Sequence, residues 1–97
     1  MCRIDLTPEA VDDLKQLRKF DVAQVVAAIE IQLASRPTEE TRNRKRLRPN
    51  ALSEWELRVG QCRVFYDFDE DDQSVIIRAV GHKVGNVLYV HGEEYEL

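Results

Sequence analysis

Cysteine is scarce in this chain. Its two cysteines, Cys2 and Cys62, are too few for a disulfide framework. Both sit in strand-like text among apolar neighbours, so they read as buried free thiols of a protein in a reducing cytosol. No apolar run is long enough to span a bilayer. Asp5 interrupts the N-terminal stretch where an export signal needs its apolar segment. No membrane is therefore expected, and the expected location is cytoplasmic. No set of His, Cys and Asp has metal-ligand spacing, and no glycine-rich phosphate loop is present, so neither a metal nor a small-molecule cofactor is expected. Internal repeats and low-complexity segments are absent. Positive charge is also short: 14 Lys and Arg stand against 18 Asp and Glu, a net −4, the wrong sign for a generic nucleic-acid binder.

What is present fits one domain over residues 1–97, near the lower end for a self-sufficient core. An apolar fraction of 43% argues against disorder. The charge is unevenly spread. Arg36, Arg42, Arg44, Lys45, Arg46 and Arg48 face only Glu39 and Glu40 in their stretch, while the acids gather at Asp67–Asp72 and at Glu93, Glu94 and Glu96. A positive patch on a mildly acidic protein follows, because local potential departs from net charge.

Residues 2–6 read as a short strand. Thr7-Pro8-Glu9 is a helix start, with Thr as N-cap, Pro at the first helical position and an acid in the first turn. Val11, Leu14 and Leu17 would form the buried face of that helix. Asp21, with Gln24 three residues on, would cap a second helix, whose stripe is Val22, Val25, Val26, Ile29 and Leu33. The two helices are expected to form an antiparallel hairpin. Residues 37–53 read as a polar connection.

Three strands follow. In residues 54–59, Trp55, Leu57 and Val59 alternate with Glu54, Glu56 and Arg58. Gly60-Gln61 suits a tight turn. In 62–68, Cys62, Val64, Tyr66 and Phe68 oppose Arg63, Phe65 and Asp67. Residues 75–80 are apolar on nearly both faces and belong in the sheet interior, with Gly81 as their break. A short last strand is expected at 87–90. The order β-α-α-β-β-β, with that terminal strand, predicts an α+β domain with helices on one face of a largely antiparallel sheet. Trp55, Leu57, Val64 and Tyr66 should face the helices, leaving Glu54, Glu56, Arg58, Arg63 and Phe65 on an open face. Arg58, Arg63, Lys83 and Tyr89 fall at strand positions or strand ends from which they would converge on one side. Such an arrangement suits the gripping and cutting of an RNA backbone without a metal ion.

Five pieces of text carry a family resemblance: Lys45-Arg46-Leu47-Arg48, Leu57-Arg58, Arg63-Val64-Phe65-Tyr66, Val80-Gly81-His82-Lys83 and Leu88-Tyr89. In this order and spacing they resemble the RelE/ParE superfamily of toxins from type II toxin–antitoxin systems, closer to the RelE branch. The resemblance is strong over the last half of the chain and extends to the first half in element order. It implies a toxin held silent by a cognate antitoxin. In the RelE branch such a toxin is an endoribonuclease, an mRNA interferase that cuts messenger RNA on the ribosome. In the ParE branch it poisons DNA gyrase.

The resemblance also implies site residues. Arg63 matches the arginine that holds the scissile phosphate, Lys83 a second basic position, and Tyr89 the C-terminal aromatic, which would stack on a base or donate a proton. Arg58 would add a phosphate contact. The run Arg44, Lys45, Arg46 and Arg48 would line ribosomal RNA or steer an acidic antitoxin, unless it is an ordinary solvated loop. At one point the chain departs from the pattern: Glu54 and Glu56 stand where the RelE branch carries two lysines. A carboxylate would then serve as base with His82 as acid, or the two glutamates merely pair with Arg58 and the loop arginines and His82 is a turn residue. Ribonuclease, gyrase inhibitor, and a toxin fold that only binds its antitoxin all remain readings of this sequence.

Overall fold

Thr7 begins the first helix as its place before Pro8 predicts. Its Oγ1 accepts a hydrogen bond from the Ala10 amide at 3.1 Å, and Glu9 lies in the first turn, where an acid opposes the helix dipole. The computed structural model describes all 97 residues. Two helices, α1 (Pro8–Gln16) and α2 (Lys19–Leu33), follow strand β1 (Arg3–Leu6). The remaining strands are β2 (Arg44–Arg46), β3 (Trp55–Val59), β4 (Cys62–Asp69), β5 (Ser74–Val84), β6 (Val87–Val90) and β7 (Glu93–Glu94). The α+β class and element order are those expected, with two added strands, β2 and β7.

The strands form one sheet in the order β2-β3-β4-β5-β6-β7, antiparallel throughout this path. β1 joins it off the path, parallel to the first half of β5, while β6 pairs with the second half. Gly81 does not end β5. The strand runs on to Val84, and Gly81 is needed because β6 comes close: a Cβ there would lie 2.6 Å from the Tyr89 carbonyl oxygen. The chain then turns at Gly85.

The helices cover one face, α1 over β5 and α2 over β3 and β4. Trp55, Leu57, Val64 and Tyr66 are buried there with Val25, Ile29, Leu33, Val75 and Ile77, and Trp55 stacks on Tyr66 with ring centroids 6.2 Å apart. The helix faces differ in detail from the expected stripes. α2 begins at Lys19, so Asp21 lies inside its first turn and pairs with Arg18 instead of capping. Val26 is exposed, and in α1 the buried positions are Ala10 and Asp13, with Val11 exposed. Asp13 is buried because it is bonded: it accepts from the Val80 amide and from His91 Nδ1, each at 2.9 Å.

The opposite face is not open. Phe65 is fully buried there with Ala79, Leu88 and Val90, and Leu47, Leu52 and Tyr95 pack over them. The 47–53 loop and the C-terminal segment thus form a second, smaller apolar cluster. Asn50 fixes that loop by accepting from the Leu52 and Ser53 amides and donating to the Arg48 and Ser53 carbonyls. No helix is long and apolar enough to cross a membrane.

Candidate functional site

β3 and β4 pair so that Glu56 lies opposite Phe65 and Arg58 opposite Arg63, and β4 and β5 pair Arg63 with Gly81. Alternation then puts Lys83, two residues on from Gly81, on the face of Arg63. With residues 45–48, at the end of β2 and just after it, and the C-terminal segment, these side chains line a cleft of about 580 Å³. Its charged lining is Lys45, Arg46, Arg48, Arg58, Arg63 and Lys83 against Glu56 and Glu96, with Asn86 and Tyr95 beside them.

Arg63 is the most constrained of these groups. It is 7% exposed, and its Nη1 donates to the carbonyls of Gly60 and Cys62, each at 2.9 Å. Its Nε is buried without a partner. Burial lowers the Arg63 pKa, the cross-strand Arg58 adds to the effect, and Glu56 opposes it. A guanidinium stays protonated through such a shift. The side chain is therefore a fixed cation, anchored through Nη1 at the lining of the cleft. An anion is the natural complement to such a group. Glu56, 6% exposed, is the carboxylate nearest the sheet in this cleft.

Other expected site residues lie elsewhere. Glu54 pairs with Arg46 at 3.0 Å and faces a neighbouring pocket bounded by residues 46–54, Asp67 and Arg78. Arg46 also lies over the Trp55 ring, 5.9 Å from its centroid, and touches both pockets. Arg44 is not an exposed loop cation. It is buried, and its Nη1 donates to the carbonyls of Gln32 and Arg36, closing the end of α2. The reason is local: residues 44–46 are a strand, so Arg44 and Arg46 share one face and Lys45 takes the other.

Tyr89 does not converge with Arg58, Arg63 and Lys83. β6 pairs it with His82, which is itself paired with Cys62 on the helix-facing side. The His82 and Tyr89 rings stack, 5.5 Å apart, and line a separate pocket with Glu9, Asp12, Asp13 and His91 of about 480 Å³. The sheet lies between them and the basic cleft. The cleft's aromatic is Tyr95, which is not among the expected site residues. Its signal was faint: one tyrosine in an acidic terminal stretch, with no strand periodicity to assign it a face.

Residues 4–86 match the family described as the ParE toxin of the type II toxin–antitoxin system parDE. Among solved structures, the chain is similar to a chain of the toxin–antitoxin complex RelBE2 from Mycobacterium tuberculosis, at 27% identity and a TM-score of 0.67, over 84% of this chain and 98% of that one. It also shares the fold of a chain in the archaeal RelE–RelB complex from Pyrococcus horikoshii OT3, at 19% identity and a TM-score of 0.57, over 78% of this chain and 88% of that one. No curated protein matches the chain. With the family matched over 83 of the 97 residues, and the fold found again in both complexes, the chain belongs to the ParE toxins of type II toxin–antitoxin systems, within the RelE/ParE superfamily.

Proposed function

We propose that this toxin is a metal-independent endoribonuclease acting in the cytoplasm on ribosome-bound messenger RNA, held silent by a cognate antitoxin. Arg63 carries the proposal: a guanidinium anchored by the Gly60 and Cys62 carbonyls, in a cleft where six cations face two carboxylates. A phosphate passing to a pentacovalent dianion gains most from charge already fixed in place. In this reading Arg63 and Arg58 stabilise the phosphorane. Glu56 takes the 2′-hydroxyl proton, and the 2′-oxygen attacks phosphorus. The bond to the 5′-oxygen breaks, Lys83 donates the proton that the leaving oxygen needs, and a 2′,3′-cyclic phosphate remains. Glu54, held by Arg46, takes no part, and neither do His82 and Tyr89 across the sheet. Lys45, Arg46 and Arg48 hold flanking phosphates. The antitoxin partner is supported by the two similar structures, both of which are toxin–antitoxin complexes.

The test is primer extension on message held in ribosome complexes, for wild type, Arg63→Ala and Glu56→Gln. Cleavage by wild type that drops about 10²–10³-fold in Arg63→Ala is expected, from the loss of one preorganised charge. A second reading, inhibition of DNA gyrase, is favoured by the ParE description of the matched family and by glutamates at 54 and 56. Wild type that cuts no ribosome-bound message yet blocks supercoiling by purified gyrase would establish that reading instead.

A further inference from the structure

We infer that Tyr95, and not Tyr89, is the aromatic that receives an RNA base in the basic cleft, which makes the segment after β7 part of the substrate site. The inference rests on the ribonuclease reading. Clefts that take single-stranded nucleic acid combine cations along the backbone path with aromatic faces on which bases stack. This cleft has its cations from three places: β2 with the residues just after it, the β3–β4 pair and the end of β5. Among its lining residues Tyr95 is the one aromatic.

Tyr89 is unsuited on two counts. Its ring is already stacked on His82, and the register of β5 and β6 puts both on the helix-facing side, in the pocket with Asp13 and His91. Reaching the cleft would require it to pass through the sheet. Tyr95 is suited on three. The pairing of Glu93 with Val90 and of Glu94 with Tyr89 brings the chain back along β6. The Tyr95 amide then donates to the Leu88 carbonyl at 2.9 Å, which fixes the backbone at that position. Its half-buried ring packs on the Phe65, Ala79, Leu88 and Val90 cluster while still lining the cleft beside Arg58, Arg63 and Lys83. An aromatic ring supported on an apolar floor, beside cations that hold a phosphate, is a stacking platform for the nucleoside attached to that phosphate.

The test uses the full-length protein and a single-stranded RNA that is 2′-O-methylated, so that it binds without being cut, and that carries 2-aminopurine, whose fluorescence falls on stacking. Wild type should quench the probe. Tyr95→Phe should quench it equally and bind within about twofold, because the stacking face is kept. Tyr95→Leu, which retains the apolar packing, should lose the quenching and bind about tenfold more weakly. Thermal unfolding of each variant separates this from a loss of structure. If wild type binds and Arg63→Ala weakens binding while Tyr95→Leu still binds and quenches as wild type does, the role of Tyr95 is overturned and the ribonuclease reading stands. Quenching lost in Tyr89→Leu and kept in Tyr95→Leu also overturns it. A wild type that cuts message in ribosome complexes but binds no such RNA overturns this inference alone, and one that does neither overturns the ribonuclease reading with it.

Discussion

Arg63 and Cys62 are neighbours in sequence, point to opposite faces of β4, and are both perturbed by burial. For Cys62 the larger cause is loss of water around the thiolate, reinforced by Asp21 and opposed by Arg63, so the thiol is pushed up. A group whose folded-state pKa is raised contributes stability that is whole below its unfolded value, about 8.5 for cysteine, and is lost as pH rises past it. Stability should therefore fall as pH climbs above about 8.5, and Cys62→Ala should flatten that part of the profile. Tyr66 extends the decline above about 10, because burial raises its phenol too and its hydroxyl donates to the Pro37 carbonyl at 2.6 Å. Chemical denaturation at a series of pH values reads both. An unchanged slope in Cys62→Ala would mean that its thiol titrates alike in both states.

At the scale of elements, the 44–46 strand decides which loop arginines are free. Arg44→Ala would strand the carbonyls at the end of α2, at a cost of about 1–3 kcal/mol. Lys45→Ala, at the solvated neighbour, should stay within about 0.5 kcal/mol. Equal denaturation midpoints for the two variants would refute the assignment of Arg44 to structure. On the helix side, Trp55→Ala should destabilise the fold by about 3–5 kcal/mol, because a buried, stacked indole leaves a cavity. Strict alternation made the Trp55, Leu57, Val64 and Tyr66 face legible in sequence, since a period of two admits one buried set. The same alternation failed for the other face. Glu54, Glu56, Arg58, Arg63 and Phe65 look solvent-facing in isolation, and no local pattern announces that Leu47, Leu52 and Tyr95 return from distant segments to cover Phe65. Arg44 looks like a loop cation in sequence for a similar reason: a three-residue strand inside a basic run carries no periodicity of its own.

At the scale of the whole molecule, the sheet divides the chemistry in two. One side holds the basic cleft, and the other holds the stacked His82 and Tyr89 with the Asp13–His91 pair. Family text put Arg63, Lys83 and Tyr89 in one site, and spacing alone could not correct it. The face of Tyr89 depends on its pairing with His82, which in turn depends on Gly81 letting β6 approach. A net charge of −4 likewise concealed a cleft with six cations, since only two of the 18 acids, Glu56 and Glu96, line it. Toxicity is expected to arise on the cleft side. The most direct test is growth of bacteria on induced expression without the antitoxin, comparing wild type with Arg63→Ala, Lys83→Ala and Tyr89→Phe, each checked for folding by circular dichroism. Wild type and Tyr89→Phe should arrest growth alike, and Arg63→Ala and Lys83→Ala should relieve the arrest. A folded Arg63→Ala as toxic as wild type, or a folded Tyr89→Phe that has lost toxicity, would contradict it.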